Sequence, residues 1–497
     1  MAISGFQSFR ITVEIPLLLL TYSIMVQKAL YTNLSIYRTC YTILDYPKEN
    51  CSQLGNEDNN MTELLEPKVQ PTVNHINMVQ STIQSTIPLF ICIYVGLWSD
   101  RFGRKPFLIA SLTGALVSAA ANVLIVYFED LTTWWFIASM MPYVLTGETG
   151  AFMLLVTTYI ADITTSEQRA LRLALFEVIF GLSSVFGNFS ASYLFYATNY
   201  ATVYLITMSL LGFSLLYTIF VLPESLKGNK EVQNSKEKIK LTNVKDLVKN
   251  IFKKRPNNGR IHLLSILGII LLQNFTIGEM TVLTLFLRAK FYWTLSKITL
   301  VNSIASILNI IGTVFSTVVL HKLLKIEEFP LVLLASISHI ISNILRANAT
   351  NDIYLYISYC AFAFRGMGGI MLRTVTSFII SSQEMGKVFA VISILTSLDE
   401  LTANIIYPMV YNATLHTNSG IFNYMSLGMM AVGSILIIYM MNVNYAHYEP
   451  PTKEEDLDAK KNMALNNMDI FTPTQRMSLE IGTRTFSLRS ITNTPIP

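Results

Sequence analysis

Seven ionisable residues stand inside long apolar runs of this sequence: Glu148 in LTGETGAF, Glu177 in LALFEVIFG, Glu279 in NFTIGEMT, Arg365 in FAFRGMGG, Arg373 in MLRTVTSF, and the adjacent Asp399 and Glu400. At the centre of a bilayer each would cost about 3 kcal/mol, so each asks for a chemical reason. A carboxylate withdrawn from water favours its neutral form and can carry a proton. Arg365 and Arg373 are eight residues apart, which on one helix is about 12 Å along one face, a spacing that suits an elongated anion. The acids could neutralise the arginines when no anion is bound. For any one residue a structural ion pair is an equal reading; the set as a whole favours a path for an anionic substrate and a proton.

These residues need apolar elements to hold them. Of 497 residues 52% are hydrophobic and only 14% charged, and mean hydropathy is +0.45. A soluble protein carries about 25% charged residues, so this chain is a membrane protein. A helical span needs about 20 apolar residues. Runs of that kind predict spans at 11–33, 77–98, 106–127, 132–161, 171–195 and 202–222, then at 261–286, 297–320, 329–346, 352–380, 387–411 and 418–441. The expected fold is all-α, twelve transmembrane helices in two six-helix bundles, 1–222 and 261–441. Barrel strands would instead alternate over ten-residue segments.

Lysine and arginine set the orientation, because short cytoplasmic loops are enriched in them. With both termini inside, Arg101, Arg104, Lys105, Arg169, Arg172, Lys322, Lys325 and Lys387 fall in inner loops. The linker 223–260 holds eleven basic residues against four acidic ones. It is read as inner-face topology with attraction to anionic lipid, not as nucleic-acid binding. From about Asn442 the chain turns polar and Ser/Thr-rich, so 442–497 is expected to be a disordered cytoplasmic tail. Sequons at Asn50, Asn60, Asn348 and Asn412 fall in outer loops, where glycosylation occurs. Asn33 lies ambiguously at a span end, and Asn188 and Asn274 lie inside spans. Cys40 and Cys51 share the first outer loop, 34–76, an oxidising setting in which a bridge could staple the segment.

The most specific motif is GLWSDRFGRKP, a polar knot between spans two and three. Positive-inside topology accounts for Arg101, Arg104 and Lys105 but not for Gly96, Asp100 and Gly103. Glycine lets backbones approach, an acid can sit at a helix N-terminus, and Gly103 suits a turn that side chains resist. Together they describe a latch, with Asp162 of YIAD as the acid expected to pair with Arg104. His339 and His321 are read as packing residues, and GMGG, Gly366–Gly369, as a close helix contact. No motif for hydrolysis, a metal, a cofactor or ATP is found. The chain is therefore expected not to be an enzyme, and its energy to come from gradients.

The pattern G-x-x-x-D-R-x-G-R-K, twelve spans and a long central loop resemble the major facilitator superfamily of transporters, and LPESLKG after span six resembles a second, weaker signature. Within it the chain resembles solute carrier family 46, the proton-coupled folate transporter and its relatives. The likeness runs through VEIP, the sequon-bearing first loop, the knot, Glu148 followed by YIAD, RLALFE, and RTVTSF before QEMGKVFA. It implies two bundles rocking about a central site, a latch that closes the cytoplasmic side, proton coupling at Glu177 and substrate or proton binding at Arg373.

Three departures bear on the substrate. VEIP has one residue more than the family's V-E-P, the Asp399–Glu400 pair is absent from the folate branch, and the family's disulfide to the loop after span seven has no partner cysteine here. By that last departure any bridge is Cys40 to Cys51. The expected activity is proton-coupled symport of an organic anion: a folate-like compound, a cyclic dinucleotide or a muropeptide. In the expected cycle Glu177 with Glu148 takes the proton, and Arg365 with Arg373 holds the anion. The alternatives are a non-transporting membrane receptor or a facilitator for neutral sugars or drugs. The protein is expected to be a monomer in the plasma membrane, or in the lysosomal membrane, where the lumen also supplies protons.

Overall fold

The computed structural model describes residues 12–55, 60–164, 166–225, 252, 259–380 and 382–442. The sequon Asn60 opens a helix there, while most of the linker 223–260 and the tail beyond Asn442 lie outside the described residues.

Apolar runs of span length fold as helices because only a helix satisfies its own backbone in lipid. In the first half these are α1 (Glu14–Thr42), the short α2 (Lys48–Ser52), α3 (Asn60–Phe102), α4 (Lys105–Tyr127), α5 (Trp135–Val144), α6 (Glu148–Ile163), α7 (Ser166–Ala197) and α8 (Tyr200–Phe220). The second half holds α9 (Gly259–Phe275), α10 (Glu279–Phe291), α11 (Leu295–Phe315), α12 (Glu328–Ala347), α13 (Asp352–Ala361), α14 (Gly366–Ile379), α15 (Ser382–Asn418) and α16 (Ile421–Asn442). Local signals set several ends. Asn199 caps α8 by accepting from the Thr202 N–H at 2.8 Å, and Thr294 caps α11. Among the described residues there is no strand, and eleven helical segments are long and apolar enough to cross a membrane. The expected eleventh span falls on α15, which is not one of those eleven, although its 37 residues supply the length.

Two differences from the sequence reading matter for function. The expected outer loop 34–76 is mostly helix: α1 runs on to Thr42 and α3 begins at Asn60, leaving only residues 43–59 between them. Apolar and aromatic side chains such as Ile36, Tyr41 and Leu65 bury those extensions, so they stay helical outside the bilayer. In addition, spans four, seven and ten are not continuous. Span four breaks at Gly147, whose φ of +87° favours glycine, so α5 ends and α6 restarts. Span seven tightens into a 3₁₀ turn at Thr276–Gly278, and span ten does the same at Phe362–Phe364.

The halves meet along α7 against α11 and α3 against α15. At the end of the molecule that carries the Cys40–Cys51 disulfide, one apolar cluster crosses both halves, joining Ile36, Leu65 and Val69 to Phe286, Tyr407 and Phe422. At the opposite end, which carries residues 96–105, each half has a core of its own, one around Leu112 and Tyr159 and the other around Val332 and Met371. That asymmetry leaves a gap between the halves.

Candidate functional site

A cavity of about 2920 Å³ fills the gap. Its lining runs from Asn33 and Arg288 near the disulfide end to Trp98, Asp100 and Arg101 near the 96–105 turn.

At the disulfide end polar contacts between the halves close it. Arg288 of α10 donates its Nε–H to Glu66 Oε1 of α3 at 2.6 Å, and both side chains are about fully buried, at 2% and 1% exposed. Arg288 also donates to Asn33 Oδ1 of α1, and Asn33 Nδ2 donates to Tyr200 Oη at 2.5 Å. Beside this pair, Gln70 Nε2 donates to the Leu285 carbonyl at 3.0 Å, and Asn74 Nδ2 donates to the Pro408 carbonyl at 2.9 Å and to Asn412 Oδ1 at 2.7 Å. Asn412 in turn donates to the Pro71 carbonyl at 3.3 Å. It therefore lies in the seam between α3 and α15 rather than in the outer loop expected for a glycosylated sequon. Asn348, at the end of α12, is exposed. Asn50 lies half-buried on α2.

The charged residues fall into three groups. Glu148 is the first residue of α6 at the Gly147 break, lines the cavity and accepts from Gln84 Nε2 at 3.2 Å. Glu400 of α15 lines the facing wall, and the two carboxylates lie within electrostatic reach of each other and of Lys28 on α1. Asp399, one residue away, is half-buried and accepts from Asn274 Nδ2 at 3.4 Å.

The second group is buried within the second half, and its Arg346 reaches the cavity lining. Glu279, the first residue of α10, is wholly buried; His339 Nε2 lies 3.2 and 3.3 Å from its oxygens, and Arg346 Nη1 donates to Oε1 at 3.4 Å. Arg365 stands over the Phe362 ring at 4.9 Å and donates to Thr276 Oγ1 at 3.4 Å. The third group is outside the lining. Glu177 is exposed on α7, one turn beyond the lining residues Gly181 and Ser184 on the same face. Arg373 is exposed on α14. Arg365 and Arg373 thus do not form the expected paired clamp on the cavity wall: the helix between them is continuous, and eight residues at 3.6 per turn leave their side chains about 80° apart, one in the buried cluster with Glu279 and the other exposed. The cations that do line the cavity include Lys28, Arg288 and Arg346.

Sequence reasoning set His339 aside as packing and did not single out Arg346. Their signal was readable: His339, Ser342, Asn343 and Arg346 recur at i, i+3, i+4 and i+7, one polar stripe on an otherwise apolar helix.

The latch forms within the first half. Arg104 pairs with Asp100 and with Asp162 Oδ2, the latter at 3.1 Å, and donates to Ser99 Oγ at 2.6 Å. The acid at the N-terminus of α4 is not Asp100 but Glu224, from the LPESLKG segment: it accepts from the backbone N–H of Arg104 at 2.8 Å and of Lys105 at 3.1 Å. Gly103 has φ +99°, and a Cβ there would lie 2.5 Å from Glu224 Oε2. A Cβ built on Gly96 would lie 3.5 Å from Leu154 Cδ2, ordinary contact, so the expected close backbone approach does not require glycine there. Among the described residues no cluster of His, Cys, Asp and Glu is fit to hold a metal.

A family model described as Major Facilitator Superfamily matches residues 69–399. The probable peptidoglycan muropeptide transporter SLC46 of Drosophila melanogaster is 26% identical, over 88% of this chain and 87% of its own. A proton-coupled folate transporter of Rattus norvegicus is 24% identical, over 88% and 93%. A lysosomal proton-coupled steroid conjugate and bile acid symporter of Bos taurus is 24% identical, over 82% and 89%. Among solved structures, the inward-open xylose transporter XylE of E. coli shares the fold with a TM-score of 0.58 at 14% identity, covering 87% of this chain and 94% of that one.

Proposed function

The chain belongs to the Major Facilitator Superfamily, and from that premise we propose that it carries an organic anion together with a proton by alternating access. It is a multi-pass membrane protein and a secondary active transporter, not an enzyme. The observation that carries the finer reading is the cavity between the halves, closed at the disulfide end, with Glu148, Glu400 and Lys28 on its walls.

With both termini in the cytoplasm, the disulfide end faces outside and the 96–105 turn faces inside, so this conformation is inward-facing. Proton coupling is assigned to Glu148, facing Glu400 across the cavity. Two carboxylates that face each other across a cavity repel and are relieved by one proton, and Lys28 offers the second carboxylate a counter-charge. Glu177, at the inner mouth, passes the proton toward the cytoplasm. Neutralising the pair lowers the cost of closing the halves over the load. Rocking then breaks the Glu66–Arg288 pair and closes the inner end, where the latch around Arg104 supplies the contact face.

The substrate class supported by the relatives and by cations in the lining is an organic anion: a folate-like compound, a cyclic dinucleotide or a muropeptide. The site of action is the plasma membrane, or the lysosomal membrane by analogy with the bovine symporter. The test is uptake of these three labelled compounds at acidic and neutral outside pH in cells with confirmed surface expression. Acid-stimulated uptake of one of them supports the reading; uptake unaffected by pH, or of neutral sugars alone, overturns it.

A further inference from the structure

The buried cluster in the second half that reaches the cavity at Arg346 has more positive than negative charge. Two guanidiniums, Arg346 and Arg365, lie in the field of one carboxylate, Glu279. A buried charge without a counter-charge costs several kcal/mol. Arg346 makes the imbalance local. It is 0% exposed and donates to Ser358 Oγ at 3.3 Å and to Glu279 Oε1 at 3.4 Å, but its Nη2 has no hydrogen-bond partner. Tyr359 Oη, on the neighbouring helix, is also buried without a partner. Both residues belong to the lining of the cavity, and the rings of Tyr359 and Phe362 hold the guanidinium in place from 4.9 Å.

The bond to Glu279 is long for a charge-assisted one, which runs at about 2.7–2.9 Å. Arg346 is thus held in orientation by two aromatic rings and Ser358, while its carboxylate partner, shared with His339, leaves donor capacity over. A ligand oxygen carrying a full negative charge fits that surplus; a neutral hydroxyl does not balance it.

We propose that Arg346 and Tyr359 form a subsite for one anionic group of the substrate, a carboxylate, phosphoryl or sulfonyl oxygen, with Glu279 as the resident counter-ion that competes for it. This rests on the reading of the chain as an anion transporter and names which residues hold the anion. It makes a signed prediction that a merely structural ion pair does not. Removing the competitor in Glu279→Gln strengthens anion binding, whereas loss of a structural pair weakens it or leaves it unchanged.

The experiment uses the purified full-length protein and inorganic sulfate as probe, with chloride at matched ionic strength as control, and reads thermal stabilisation against sulfate concentration. The expected result is a half-saturating concentration at least tenfold lower in Glu279→Gln than in wild type, and loss of the response in Glu279→Gln/Arg346→Met. That double variant strands neither Glu279 nor Arg346, Arg365 keeps its contacts with Thr276 and the Phe362 ring, and the melting temperature without sulfate reports whether the variant folds. No tightening in Glu279→Gln, or an unaltered response in the double variant, overturns the subsite. The same variants are assayed for uptake of labelled muramyl dipeptide and folate. Uptake with a KM unmoved by the double variant overturns the subsite while leaving the transport reading intact. The expected sulfate responses with no anion taken up leave the subsite standing and count against the transport reading.

Discussion

The pair between Glu66 and Arg288 offers the sharpest perturbation of the conformational cycle. It joins the two halves at 2.6 Å with both side chains buried, and it exists only while the disulfide end is closed. Removing one partner of a buried pair costs about 3–5 kcal/mol, because the other is left uncompensated. In Glu66→Ala that cost falls on the closed-end conformation alone, since opening exposes Arg288 to water. At about 1.4 kcal/mol per factor of ten, even 3 kcal/mol shifts the ratio of the two conformations more than a hundredfold. The assay is labelling of Thr284→Cys, a cavity-lining position on α10, in a Cys92→Ser/Cys360→Ser background with the Cys40–Cys51 bridge intact. A membrane-impermeant maleimide applied from the disulfide side should react far faster in Glu66→Ala than in the parent. In Glu66→Leu/Arg288→Met no charge is stranded, so labelling should return toward the parental rate. Equal rates in the parent and Glu66→Ala would refute the argument that this pair holds the end shut.

Three further outcomes follow from the same geometry. Gly103→Ala strains a left-handed turn and drives a Cβ against Glu224, so it should destabilise the purified protein by about 1–3 kcal/mol; Glu224→Ala, which uncaps α4, should cost about 1 kcal/mol. Because both act on one carboxylate, thermal melts of the double variant should show less than the sum. Breaking the Cys40–Cys51 bridge, which closes a separation of 11 residues, should lower stability by about 3 kcal/mol on the chain-entropy account, read as a fall in melting temperature on replacing both with serine. Asn348→Gln should remove a glycan visible as an electrophoretic shift sensitive to glycosidase, whereas Asn412→Gln should leave the pattern unchanged, its amide being held between α3 and α15.

Much of the architecture was legible because it is written locally. Apolar runs mark spans wherever they occur, and SDRFGRK announces a tight turn by its own composition. What the sequence left hidden depends on residues far apart in the chain. Glu224 reaches the N-terminus of α4 only because the end of α8 packs beside it. Arg288 meets Glu66 across 222 positions. Glu279 stands beside Gly278, where the sequence already suggests a break in the helix, and the structure has a 3₁₀ turn there; for Glu148 and Arg365, picked out as isolated charges, it adds that each also stands at the break of a span. The Arg365–Arg373 clamp assumed that a spacing of eight puts both side chains on one face, but on the continuous helix that joins them the two point about 80° apart. Residues 34–76 were expected to be an outer loop, but their apolar residues suffice for packing helix on helix outside the bilayer.

The most direct measurement is proton movement driven by the anion itself. Purified protein is reconstituted in liposomes holding a trapped pH dye, with an equal pH on both sides, and labelled muramyl dipeptide or folate is added outside. The account predicts that one of them enters and acidifies the lumen, and that Glu148→Gln abolishes the acidification. Entry of the label with no change in luminal pH, in vesicles whose proton leak is controlled, would contradict proton-coupled anion transport.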